Sequence, residues 1–293
     1  MHADEAVGLV RIGGVQRDIR PEHLGPNRQL PDWVTPQMVD AAKKVLAAET
    51  PFDVLVPYLE RRAGSASGDY EIVENTPISD QVEYESCVAN ATCDGMEIIR
   101  GVEDPTTVIQ LARMFVWWLC SFTQGTAGQN VGTSNGLAMY VLATFGICPE
   151  EMYPYVKGNA YAEPTIDAFT VARVNRLSAY SRVTESGIVL VDKAELSVRA
   201  DHPVVFGTGV GAAFQNWQAG DAALRPEETI DGLHDLIIAG VRGRSPNREF
   251  KIRNSYGKHY GEDGHCWMHE SYLTAAYSDD YYVGMRMPAL RLG

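Results

Sequence analysis

The apolar positions of this chain change their period near the middle. Between residues 35 and 155 they recur at helical spacing; from about 165 they come in short runs bounded by glycine, proline and acidic residues. Thr35-Pro36 offers a hydroxyl cap and then a first-turn proline. Met38, Ala41, Val45 and Ala48 follow on one face, predicting a helix over 37–48 that Pro51 stops. Residues 52–59 form a second apolar piece, and a strand is predicted over 8–15. Residues 62–69, with Gly64-Ser65-Ala66-Ser67-Gly68 inside, read as a linker. Ser86 predicts the cap of a helix reaching Arg100, with Gly101 as its stop. Asp104-Pro105 opens a segment that continues through Trp117 and Trp118. Thr133-Ser134 opens another helix, with Leu137, Tyr140, Val141, Leu142 and Phe145 on its apolar side and Gly146 at its end. Residues 187–192, 203–210, 235–241, 250–254 and 281–287 are predicted strands. A helical part followed by a β-rich part predicts an α+β protein of two lobes with a cleft between them.

Composition narrows the function classes. The apolar fraction of 45% and charged fraction of 22% are those of an ordinary globular chain. Acidic residues outnumber basic ones 38 to 25, for a net charge of -13. Duplex nucleic acid and anionic membrane surfaces both need a basic face, so neither is an expected partner. The five cysteines show neither CxxC nor any metal-ligand spacing, so no metal and no cofactor is expected. The thiols read as reduced, which points to a reducing compartment such as the cytoplasm. No signal-peptide pattern opens the chain, and the longest strongly apolar run, 114–120, is too short to span a bilayer.

The candidate chemistry lies in the order of four residues. Cys87 stands in Ser86-Cys87-Val88-Ala89-Asn90-Ala91 at a predicted helix start, where the helix dipole favours a thiolate. Gln81 precedes it by six residues. His234 follows 147 residues after the cysteine, and Asn254 twenty after that. A thiol, a distant imidazole, an amide to orient that imidazole and a second amide beside the thiol are the parts of an acyl-transfer site. Gln81 would supply a side-chain N–H and Cys87 its backbone N–H to an oxyanion hole. Cys93, Cys120, Cys148 and Cys266 lack such neighbours and are assigned to packing.

From Pro77 onward the chain resembles the papain-like cysteine peptidases, in their bacterial and viral branch. The resemblance is carried by the segment 86–91, by 132–151 with Tyr153-Pro154-Tyr155, by 203–207, and above all by 250–264. There Asn254-Ser255-Tyr256-Gly257 and Tyr260-Gly261-Glu262-Asp263-Gly264 match the family's Asn-Ser-Trp-Gly and Trp-Gly-x-x-Gly pattern. The resemblance implies a helical left lobe with Cys87 and an antiparallel, β-barrel-like right lobe with His234 and Asn254. Gly132 and Thr133 fall where the family pairs with substrate backbone, and Tyr256 where an aromatic ring covers the Asn–His bond. The chain departs from the pattern at several places. Val82 stands for a glycine after the glutamine, Tyr84 for a disulfide cysteine of secreted relatives, Val88 for a tryptophan, and Asp235 for a small apolar residue after the histidine. Glu83 and Glu85 bring negative charge near the thiol, which opposes the thiolate.

The expected division is an N-terminal extension over 1–76, a left lobe over 77–160 and a right lobe over 161–293. The extension has too few large apolar residues for its own core, so it is expected to pack on the body or to control the cleft. The function implied is a cysteine endopeptidase that cleaves peptide or protein substrates through a Cys87 thioester. The competing reading is a weak or inactive papain-fold protein that serves as a structural or binding component of an assembly such as a virus particle, with an assembly partner in place of a substrate and a virion-associated location.

Overall fold

The computed structural model describes residues 49–284. The strand expected at 8–15 and the helix expected at 37–48 lie outside them. The first lobe is built on helix α2, Cys87–Glu103, which follows α1, Phe52–Ala63. Helices α3, Arg113–Gln124, and α4, Asn135–Thr144, pack against α2. Their shared core joins Met96 and Ile99 to Phe115, Trp117, Leu137 and Val141. Ser134 caps α4 through its hydroxyl, which accepts from the Leu137 N–H at 3.3 Å. Gly146 follows at φ 79°, where a Cβ would lie 1.9 Å from the Ala172 carbonyl oxygen, so no other residue fits.

Two helix boundaries differ from expectation. Ser86 precedes α2 without capping it, because its hydroxyl binds Tyr155 Oη at 2.6 Å. The helix then runs through Gly101 to Glu103, because Gly101 keeps a negative φ and its missing side chain instead makes room for Asn75 and Val108, which would lie 3.1–3.2 Å from a Cβ there. The segment opened by Asp104-Pro105 is interrupted: Asp104 caps a single tight turn, and α3 begins only at Arg113.

The second lobe is a seven-stranded antiparallel sheet. Its strands are β1 Tyr70–Glu71, β2 Tyr180–Arg182, β3 Val204–Val210, β4 Gly232–Arg242, β5 Glu249–Arg253, β6 His265–His269 and β7 Asp279–Gly284. They lie in the order β2-β7-β3-β4-β5-β6, with β1 on β4. β2 and β6 remain separate edges among the described residues, so the sheet curves without closing into a barrel.

Residues 187–192, expected as a strand, begin a helix instead. With α5 at Ile166–Ala172, helix α6 spans Gly187–Arg199. The run Ile188-Val189-Leu190-Val191 has strand-like composition, but Leu190, Val191, Ala194 and Val198 fall on one helical face and are buried against the sheet. Phe52, Leu55 and Leu59 of α1 pack into the same core, so this part of the expected extension is a covering layer on α6. No helix among the described residues is long and apolar enough to cross a membrane.

Candidate active site

β4 carries His234, and β5 ends at Arg253, so strand register decides what stands beside the imidazole. Ile237 pairs with Arg253. Continuing that register brings Tyr256 alongside His234, and the two rings lie 4.7 Å apart at 32°. Phe214 meets the imidazole edgewise at 5.9 Å. His234 Nε2 is 2.8 Å from Asn254 Oδ1. The same oxygen accepts the Ser255 N–H at 2.7 Å. A backbone N–H can only donate, which identifies this amide atom as the oxygen and makes Nε2 the donor. The neutral imidazole therefore keeps Nδ1 as its basic nitrogen. Burial pushes His234 down to about 4, with the Asn254 bond working against the shift.

Cys87 opens α2 and is fully buried. Its sulfur accepts from the backbone N–H of Asp235, the residue after His234. Burial pushes the thiol well up, and the Asp235 and Glu85 carboxylates add to that; N–H groups of Asp235 and Val88 oppose it. The positive end of a 17-residue helix also favours the thiolate.

Gln81 is held on both sides of its amide. Its Oε1 accepts from Ser255 Oγ at 2.6 Å and its Nε2 donates to the Tyr84 carbonyl at 3.1 Å. Its backbone N–H donates to the Ser255 carbonyl at 2.9 Å. Tyr155 Oη donates to the Gln81 carbonyl at 3.0 Å and binds the Ser86 hydroxyl, so one phenol ties the glutamine loop to the start of α2. Asn130 holds the intervening loop through the Glu85 N–H at 2.8 Å and the Glu83 carbonyl at 3.1 Å. Val82 sits at φ 46° and is 69% exposed. This is the left-handed region that a β-branched residue rarely enters, and it is the position where the family pattern has glycine.

Gly132 is half-buried, and its carbonyl accepts from Gln124 Nε2 at 2.8 Å. Thr133 is fully buried, so at this point only the half-buried Gly132 is open to an outside group. The structure thus brings His234, Asn254, Tyr256 and Gln81 around Ser255 and sets the Cys87 sulfur against Asp235. Gly132 and Thr133 stand in the irregular segment just before α4. Cys93, Cys120 and Cys148 lie in the first core and Cys266 in the second.

Sequence reasoning missed the ion cluster beneath these groups. Arg253, next to Asn254, donates to Asp94 of α2 at 2.9 Å and to Glu74 at 2.6 Å. It also donates to the Pro77 carbonyl at 2.5 Å. Asp94 receives Arg113 of α3 and the Ser79 hydroxyl, and Glu74 receives His265 at 3.0 Å. One buried guanidinium so fixes the spacing between α2, the end of β5 and the irregular segment leading to Gln81. The available signal was charge inside otherwise apolar elements: Asp94 and Glu97 in α2, Arg113 at the start of α3 and Arg253 at the end of β5.

A family model described as papain family cysteine protease matches residues 67–282. An uncharacterised peptidase C1-like protein of Acanthamoeba polyphaga mimivirus is 20% identical over 201 residues, 67% of this chain. The chain spans 65% of that relative's length. Zingipain-2 of Zingiber officinale is 26% identical over 192 residues, 64% of this chain and 80% of its own. Among solved structures, xylellain, a cysteine protease from Xylella fastidiosa, superposes with a TM-score of 0.68 at 23% identity, covering 79% of this chain and 90% of that one. A procathepsin B from Trypanosoma congolense does so with a TM-score of 0.62 at 13% identity, covering 78% and 80%.

Proposed function

Because the chain belongs to the papain family of cysteine proteases, we propose that it is an endopeptidase whose nucleophile is Cys87 and whose base is His234. The observation that carries this reading is the oriented imidazole. Asn254 takes the Nε2 hydrogen, Tyr256 lies against the imidazole ring, and Nδ1 keeps its lone pair on a ring whose strand neighbour touches the Cys87 sulfur. Burial favours the neutral forms of both groups in the resting site. The thiol proton then passes to Nδ1 as the sulfur attacks the peptide carbonyl carbon. One Gln81 Nε2 hydrogen is spent on the Tyr84 carbonyl; the other, with the Cys87 backbone N–H, meets the developing oxyanion. Collapse expels the amine, which takes the proton from His234, and leaves a thioester on Cys87. Water, deprotonated by the same imidazole, hydrolyses it. The substrates are peptides or proteins, and no metal or cofactor takes part in these steps.

Complete burial of Cys87, and an acid at Asp235 in place of a small apolar residue, favour a second reading, an inactive protease fold kept as an assembly component. Alkylation near neutral pH separates the two. The first reading requires iodoacetamide to modify Cys87 far faster than the other four cysteines, and peptide hydrolysis to disappear in Cys87→Ala. Uniform slow modification with no hydrolysis overturns it.

A further inference from the structure

The residue after the histidine is an acid where the family pattern has a small apolar residue, and the structure gives that acid an unusual setting. Asp235 is 1% exposed. Its Oδ1 accepts from the Leu236 N–H at 3.0 Å and from Asn135 Nδ2 at 3.1 Å. Asn135 is the first residue of α4, on the opposite lobe, and it too is fully buried. Its Nδ2 spends its other hydrogen on the Asp280 carbonyl at 3.1 Å, and its backbone N–H donates to Asp280 Oδ2 at 3.0 Å. Both amide hydrogens are thereby committed, which fixes the amide's orientation. Two buried oxygens remain without a donor: Asp235 Oδ2 and Asn135 Oδ1. A carboxylate can only accept, so the ionised pair leaves both oxygens unsatisfied. One proton on Asp235 Oδ2 turns two acceptors into a donor and an acceptor, and an acid facing an amide can close two antiparallel hydrogen bonds.

We infer that Asp235 is a neutral acid at rest, donating its proton to Asn135, and that this bond ties β4 to α4 across the cleft floor while keeping negative charge off the Cys87 sulfur. The functional half of this inference rests on the peptidase reading above. The groups around Asp235 agree with it. From β7 it faces the acids Asp279 and Asp280, and Arg182 of β2 answers Asp280 at 3.7 Å. From α2 it faces the Cys87 thiol, with Glu85 acting on the same sulfur. From β4 its neighbour is His234, and across the ladder β3 presents only Gly207 and Thr208. α4 presents the uncharged Asn135. Burial, then Asp280 and Asp279, push the carboxyl well above its ordinary range, while Asn135 pulls it back. When Asp235 ionises, its charge opposes formation of the thiolate beside it. Asp235 is thus a positioning residue that makes nucleophile activation sensitive to rising pH.

Selective 13C labelling of aspartate carboxyls in the full-length protein tests the protonation directly, and it leaves the glutamates, including the buried Glu97, silent. One aspartate signal should stand at the protonated position at neutral pH, titrate upward of it, and vanish in Asp235→Asn. All aspartates ionised at neutral pH overturns the inference without any variant. Asp235→Asn keeps a donor toward Asn135 and removes the charge, so it also gives a kinetic readout. Cys87 alkylation rates of the two proteins should coincide at low pH. Above the Asp235 transition the wild type should fall behind by about tenfold or more, as a charge a few ångströms away at an effective dielectric of about 20 requires. Parallel profiles at every pH overturn the inference. A protonated Asp235 together with an inert Cys87 in both proteins upholds the hydrogen bond and overturns the peptidase reading instead.

Discussion

Replacing Arg253 by methionine removes the cation on which the buried cluster turns. The side chain is fully buried, and its donors reach Asp94, Glu74 and the Thr76 and Pro77 carbonyls. Methionine fills most of the volume, so the cost is electrostatic and not that of a cavity. Breaking a buried ion pair by deleting one partner costs about 3–5 kcal/mol, because the other charge stays desolvated. Here each acid retains a second partner: Asp94 keeps Arg113, and Glu74 keeps His265. The loss should therefore fall near the lower end, about 3 kcal/mol, lowering the melting temperature by roughly 6–12 °C for a domain of this size. Urea denaturation of wild type, R253M, E74Q and the double variant measures it. The double variant should be more stable than the sum of the single effects by about 1–2 kcal/mol, since neutralising Glu74 removes one of the stranded charges. An R253M loss below about 1 kcal/mol, or additivity within about 0.5 kcal/mol, refutes the claim that the guanidinium holds the cluster together.

Other outcomes follow from single observations. Val82→Gly should raise stability by up to about 1 kcal/mol in urea denaturation, since relief of a left-handed β-branched residue exceeds the entropy that glycine adds; a less stable variant refutes the strain. His265 and Arg253 outweigh the effect of burial and hold the Glu74 carboxyl down from 4.5 to about 2. Its stabilisation is present above about pH 4.5, amounts to about 3 kcal/mol, and is lost as pH falls toward 2, so wild-type and E74Q melting curves should converge in acid. Gln81→Ala should lower kcat by roughly 10²–10³-fold if its amide meets the oxyanion, and wild-type rates would remove that role. Asn254→Ala should slow hydrolysis without abolishing it, because the imidazole loses its orientation and not its base; a loss equal to that of Cys87→Ala contradicts this.

Strands β3, β4 and β5 were legible because largely buried strands announce themselves by apolar, β-branched composition and by the turn residues that bound them, although β4 begins three residues earlier than expected, at Gly232. Helix α4 was legible because Ser134 and Gly146 mark its two ends by local chemistry. Helix α6 was not. Val189 and Val191 favour a strand locally, and only the docking of Leu190, Ala194 and Val198 on the sheet makes the helix the better packing. Strand β6 also escaped: His265 and His269 at its ends are buried polar residues whose partners, Glu74 and the Pro246 carbonyl, lie far away in the chain.

The family, the order of lobes and the candidate reacting residues could be read from the chain alone, because short motifs such as Asn254-Ser255-Tyr256-Gly257 carry their information locally. The electrical state of those residues had to wait for the packed fold. Nothing near Asp235 in the chain reveals that Asn135 and Asp280 close around it, or that Cys87 lies against its backbone. Nothing near Asp94 reveals Arg253, 159 residues away. Charges interact over distance in space, and their strength depends on how much water the fold removes, so this part of the chemistry exists only once the two lobes have met.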